Sequence, residues 1–151
     1  MRRIGILAMA LCFFTFCCRD LALAQGRGRG SGWGPGSSYG RMYDPKTVST
    51  VTGEVLSVDR ITPMKGMCGG VHLTVKTDSE ALSVHLGPAW YIENQDAQIK
   101  PKDKVTVTGS RITFEGKPAV IAEEIAKGND VLKLRDSNGV PYWAGWRRHA
   151  R

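Results

Sequence analysis

From Gly69 to Trp90 the chain reads G-G-V-H-L-T-V-K-T-D-S-E-A-L-S-V-H-L-G-P-A-W, a stretch with almost no freedom in how it can fold. Val71, Leu73 and Val75 alternate with His72, Thr74 and Lys76. After Asp78-Ser79, Leu82, Val84 and Leu86 alternate with Ala81, Ser83 and His85. Alternation of period two on both sides of a short polar break predicts a β-hairpin. A two-residue loop at Asp78-Ser79 pairs Val75 with Leu82, Leu73 with Val84 and Val71 with Leu86, so every apolar side chain lands on one face. The same register sets His72 opposite His85 on the other face.

The flanking segments extend the hairpin into a barrel. Val51 and Val55, then Leu56 and Val58, are apolar with a change of phase after Gly53. In the second such segment Val105 and Val107 share one parity, and Ile112 and Phe114 the other, with Gly109 between. A strand that bends through a bulge and passes from one sheet to the next behaves this way. Between them, the stretch from Gly87 to Ile99 predicts a short helix, with Pro88 at its first position, Ala89, Ile92 and Ile99 on one side, and Pro101 as its stop. After a tight turn at Glu115-Gly116-Lys117, residues Ala119 to Ala126 read as the next strand. Strand, strand, strand, helix, strand, strand is the order of the five-stranded Greek-key OB-fold. A C-terminal hairpin follows, Val131 to Arg135 and Val140 to Trp143, turning at Asn138-Gly139 and kept to an edge by Pro141. The expected class is therefore all-β with one short helix, an OB-like barrel plus a C-terminal hairpin.

The two ends read differently from the middle. Arg2-Arg3, an apolar run from Ile4 to Cys18 and Ala22-Leu23-Ala24 have the order of a secretory signal, with cleavage expected after Ala24. The run is 15 residues long, short of the roughly 18 wanted for a spanning helix; an uncleaved N-terminal membrane anchor is the alternative. Export places the protein in the periplasm or at a membrane-bound compartment. Cleavage removes Cys12, Cys17 and Cys18, leaving Cys68, and lowers the formal charge from +7 to +5. Residues 25–46 are so rich in glycine that a flexible linker is expected. The divisions are thus 1–24 signal or anchor, 25–46 linker, 47–128 barrel, and 129–151 hairpin with a basic, aromatic tail.

In an OB-fold, ligands sit on the outer face of the second and third strands beside the loop joining the first and second. Here that face carries His72, Thr74, Lys76, Ala81, Ser83 and His85, and the loop carries Met64, Met67 and Cys68. Opposed strand residues have Cβ atoms roughly 5 Å apart, which lets two imidazoles approach one ion. Met and Cys suit soft ions, whereas imidazole suits copper, zinc or iron. Met64, Met67, Cys68, His72 and His85 are therefore a candidate transition-metal set. The competing readings are a plain histidine stack at a polar surface and a pH-sensitive pair.

Nucleic acid is disfavoured because none of the six outward residues is aromatic. An oligonucleotide- or oligosaccharide-binding module is the alternative function. No catalytic constellation is forced by spacing, so no enzyme is expected. C-x-x-x-H at Cys68 to His72 does not match the haem attachment motif. Trp143, Trp146, Arg147 and Arg148 form a second candidate, a partner-binding tail for other envelope proteins, against the favoured reading that the two tryptophans pack back on the barrel.

The strings Gly69 to Leu73, Val84 to Trp90, Val107 to Arg111, Lys117 to Ile121 and Leu132 to Asp136, with Pro141 to Arg148, resemble small exported bacterial OB-fold proteins. Among these the chain is most similar to the domain shared by the magnetosome proteins MamS and MamX. The resemblance covers about Tyr43 to Arg148 and implies a membrane-associated or periplasmic accessory of magnetite crystal maturation, or a relative in envelope metal handling. It transfers no catalytic residues. MamX-type proteins add haem-binding C-x-x-C-H motifs that this chain lacks, which favours the shorter MamS-like type.

Overall fold

The computed structural model describes residues 32–146. The expected signal segment, the first residues of the linker, and Arg147 and Arg148 lie outside the described residues. Among the described residues no helix is long and apolar enough to cross a membrane.

The strands are β1 (Val48–Ile61), β2 (Gly70–Lys76), β3 (Ala81–Pro88), β4 (Lys104–Phe114), β5 (Lys117–Lys127) and β6 (Asp130–Lys133). They hydrogen-bond in the order β3-β2-β1-β4-β5-β6, and a parallel pairing of β3 with β5 closes the first five into a barrel. Closure on that order is OB-type connectivity, and it leaves β6 as an edge strand beside β5. The inward residues Val55, Leu73, Val75, Leu82, Val84, Val105, Val107 and Ile125 are all buried and form the core.

The hairpin register is as expected over most of its length. Val75 pairs with Leu82, Leu73 with Val84 and His72 with His85, and Thr77 N–H donates to the Glu80 carbonyl across Asp78-Ser79. Val71 is the exception. A bulge after it sets Val71 against Gly87, so Leu86 is not its partner. The corners also follow the glycines. A Cβ on Gly53 would lie 2.4 Å from the Lys76 carbonyl oxygen, and one on Gly109 would lie 2.3 Å from that of Ile121. At Gly109 the ladder shifts register directly. In β1 the irregularity falls between Val55 and Ser57, past Gly53, because the glycine provides the close approach and Leu56 is the extra residue.

Two elements are shorter than expected. The helix α1 spans only Ala89–Ile92, with Pro88 as its N-cap in an extended conformation. Side chains of Asn94 and Gln95 bond back to the carbonyls of Trp90 and Tyr91, which gives the chain an alternative to further helix. The second arm of the C-terminal hairpin shrinks to one bridge, Arg135 to Pro141. The Asp136 carboxylate accepts from the backbone N–H groups of Asn138 and Val140. With Pro141 unable to donate, that arm cannot build a ladder. A last helical turn, α2, spans Trp143–Trp146.

The larger correction concerns the glycine-rich linker, which over residues 32–46 is part of the fold. Trp33, Tyr39 and Tyr43 are buried in the core cluster. Short 3₁₀ turns at Gly40–Met42 and Pro45–Thr47 carry the segment along the barrel, and Asp44 N–H donates to the Ser110 hydroxyl. Glycine content misled the expectation because three large aromatic side chains supply apolar area that the mean composition hides.

Candidate functional site

His72 and His85 face each other across β2 and β3, as the alternation requires, but neither is at the surface. His72 is 4% exposed and His85 0%. Their rings stack at a centroid distance of 3.7 Å with 20° between planes. Tyr39 lies in register with the stack, its ring 5.9 Å from that of His85, and the Tyr39 hydroxyl is 2.8 Å from His85 Nδ1. Phe114 meets the His85 ring edge-on and Trp33 meets Tyr39 in the same way. An aromatic column thus runs from Trp33 through Tyr39 to the two imidazoles.

Two glycines make room for this column. Gly70 on β2 would place a Cβ 2.2 Å from the Trp33 ring, and Gly87 on β3 would place one 2.7 Å from the Trp143 ring. The two indoles pave the strands at those positions and are tied together, since Trp143 Nε1–H donates to the Trp33 carbonyl and Trp33 Nε1–H to the Cys68 carbonyl. Arg135 completes the layer. Its guanidinium sits 4.7 Å from the Trp143 ring centroid and donates to the Leu86 and Ala122 carbonyls.

Electrostatically the site is a neutral stack next to a buried cation. Burial pushes His72 down to about 4, with Asp59 on β1 working against the shift. Burial also pushes His85 down to about 3, helped by His72 and Arg135. Tyr39 is raised by burial, so its hydroxyl stays protonated. Arg135 is lowered by burial to about 10 and remains charged at neutral pH. Both Nε2 atoms of the pair are buried and make no hydrogen bond among the described residues.

The loop residues of the candidate metal set make contacts of their own. Met64 and Met67 pack against the core, Met67 beside Gly32. Cys68 is half-buried, and its carbonyl is bound by Trp33. Beside it, Gly70 leaves space for the Trp33 indole. Among the described residues no three His, Cys, Asp or Glu side chains are placed to share an ion. Imidazole nitrogens bind metals in the ring plane, so two rings stacked at 20° do not aim their nitrogens at a common point between them. The remaining outward residues keep their access. Lys76 and Ala81 are exposed, and Thr74 and Ser83 half-buried.

Of the candidate tail, Trp143 is buried and belongs to the core, while Trp146 contributes the end of α2. Residues missed by sequence reasoning are Trp33, Tyr39, Gly87 and Arg135. The signal that could have pointed to the two indoles is the placement of glycine on both strands at the histidine end, which leaves room for a large neighbour.

The fold and this face define a class: a small closed OB-type barrel whose usual ligand face is covered, at the histidine end, by its own chain. Residues 47–132 match the MamS/MamX magnetosome protein family, and the chain belongs to that family. No curated protein matches it.

Proposed function

We propose that the protein is an exported, non-enzymatic accessory that acts by binding, at the magnetosome membrane or in the envelope, during magnetite crystal maturation. The observation that carries this reading is the family match over the barrel, residues 47–132. Binding in place of catalysis is supported by the burial of both histidines, which keeps them from a substrate in solvent. Coverage of the OB face by Trp33 and Tyr39 also argues against a nucleic-acid or oligosaccharide ligand there. In a magnetite-forming host, a tagged copy should fractionate with magnetosome membranes, and deletion should reduce crystal size in electron micrographs. A purely cytoplasmic fraction with unchanged crystals would sink the proposal.

Metal handling is a second reading, supported by the two orphaned Nε2 atoms of His72 and His85. Because the rings are stacked, an ion would be held only after one ring turns, with copper, zinc and iron as the chemically suited metals. The reading expects a metal-dependent rise in melting temperature that His85→Ala abolishes. Identical melts with and without each of the three ions reject it. Partner binding through the tail now rests on Trp146, Arg147 and Arg148, so the pull-down that tests it removes residues 146–151 and leaves Trp143 in place.

A further inference from the structure

The inner face of the same hairpin carries an opening at the end of the barrel near α1. Val58 on β1 pairs with Leu73, which is 1% exposed, yet Val58 is 38% exposed. Residues paired across β1 and β2 share a face, so this exposure means that the barrel end is not filled. A cleft of about 280 Å³ opens there, floored by Val58, Leu73, Leu86, Ile92, Ile99 and Leu132. At roughly 30 Å³ per water-sized group, it has room for one aromatic ring with a short arm or for a short alkyl chain. A full lipid tail does not fit.

The rim carries Asp59, Arg60 and Glu93 where the floor is apolar. Arg60 pairs with Val71 in the ladder and therefore projects on the cleft side, where it meets Glu93 beyond α1. Side-chain exposures of 66% and 47% leave this ion pair in water, so exchanging Glu93 for another carboxylate is nearly neutral in free energy. We propose that the cleft binds a small amphipathic carboxylic acid, its apolar body on the leucine floor and its carboxylate on the Arg60 guanidinium. An apolar cleft with a few polar groups at its edge is a usual form of a small-ligand site. The site lies on the opposite face of β2 and β3 from His72 and His85, so its test is independent of the metal and magnetosome readings.

The experiment titrates the full chain with octanoate and with phenylbutyrate by calorimetry, with their methyl esters as controls. Saturable one-to-one binding of the acids is expected, with the esters much weaker. Arg60→Gln should weaken the acids about tenfold while leaving the esters unchanged. Val58→Trp should fill the mouth and abolish binding, with circular dichroism verifying the fold. No saturable binding of either acid, or equal binding of acids and esters, overturns the proposal. So does an undiminished affinity in Arg60→Gln, which stands as a test even if Val58→Trp fails to fold. Capture of acidic aromatic peptides without binding of the free acids also overturns it and points to a protein-docking groove.

Discussion

The two imidazoles are the residues at which solution conditions reach the core. Both are held neutral in the fold, down to about 4 for His72 and about 3 for His85, against an ordinary value of 6.5. The unfolded chain therefore binds more protons than the folded chain below the ordinary value, and stability falls as pH drops through it. It should be constant above about pH 7 and lower by roughly 1–2 kcal/mol per histidine near pH 5, at about 1.4 kcal/mol per unit of titration. Urea midpoints measured across that range check the slope, and His85→Phe should reduce it by about half. Tyr39→Phe removes the hydroxyl that meets His85 Nδ1, leaving a buried ring nitrogen without its partner. A loss of about 1–3 kcal/mol is expected at neutral pH. That His72 faces His85 was legible from alternation and turn length alone. That both are buried was not, because the covering residues lie far away in sequence and period-two alternation says only which face a side chain is on.

At the scale of the element, the strap from Gly32 to Lys46 and the glycines beneath it form one unit. Trp33 fills the space over Gly70 and bridges the Cys68 carbonyl to the Trp143 indole. Trp33→Ala should cost about 3–5 kcal/mol, the range for emptying a buried large side chain, as read from denaturant unfolding. Gly70→Ala should be destabilising through the same contact, and in Trp33→Ala its additional effect should shrink, because the clashing ring is gone. Strand bending was visible in sequence, since a parity change next to glycine is a local signal. The strap was hidden because glycine richness averages over twenty residues, whereas three aromatic side chains decide whether the segment docks. Helix α1 was overextended by pattern reading. Its apolar spacing suited a helix, but side chains of Asn94 and Gln95 bond the backbone locally.

Over the whole molecule, closure of β3 on β5 joins residues about 36 apart and turns the sheet into a barrel with one covered face. A chain beginning at residue 47 would keep the five barrel strands and lose Trp33, Tyr39 and Tyr43. It should be less stable, and its two histidines should titrate closer to their ordinary value, as followed by the imidazole proton resonances. Histidines that stayed depressed in that shorter chain would show that the strap is not what buries them. Sequence by itself determined the strand order, the hairpin register from His72 to His85, the corners and the facing histidines, because each follows from side-chain parity and turn chemistry over a few residues. Tertiary structure alone decided that the histidines are stacked, neutral and covered, that the Cys68 carbonyl is bound by the Trp33 indole, and that the barrel end near Arg60 stays open. Burial and orphaned atoms depend on which distant segments arrive at a face, and desolvation, the largest influence on both imidazoles, exists only once they have arrived.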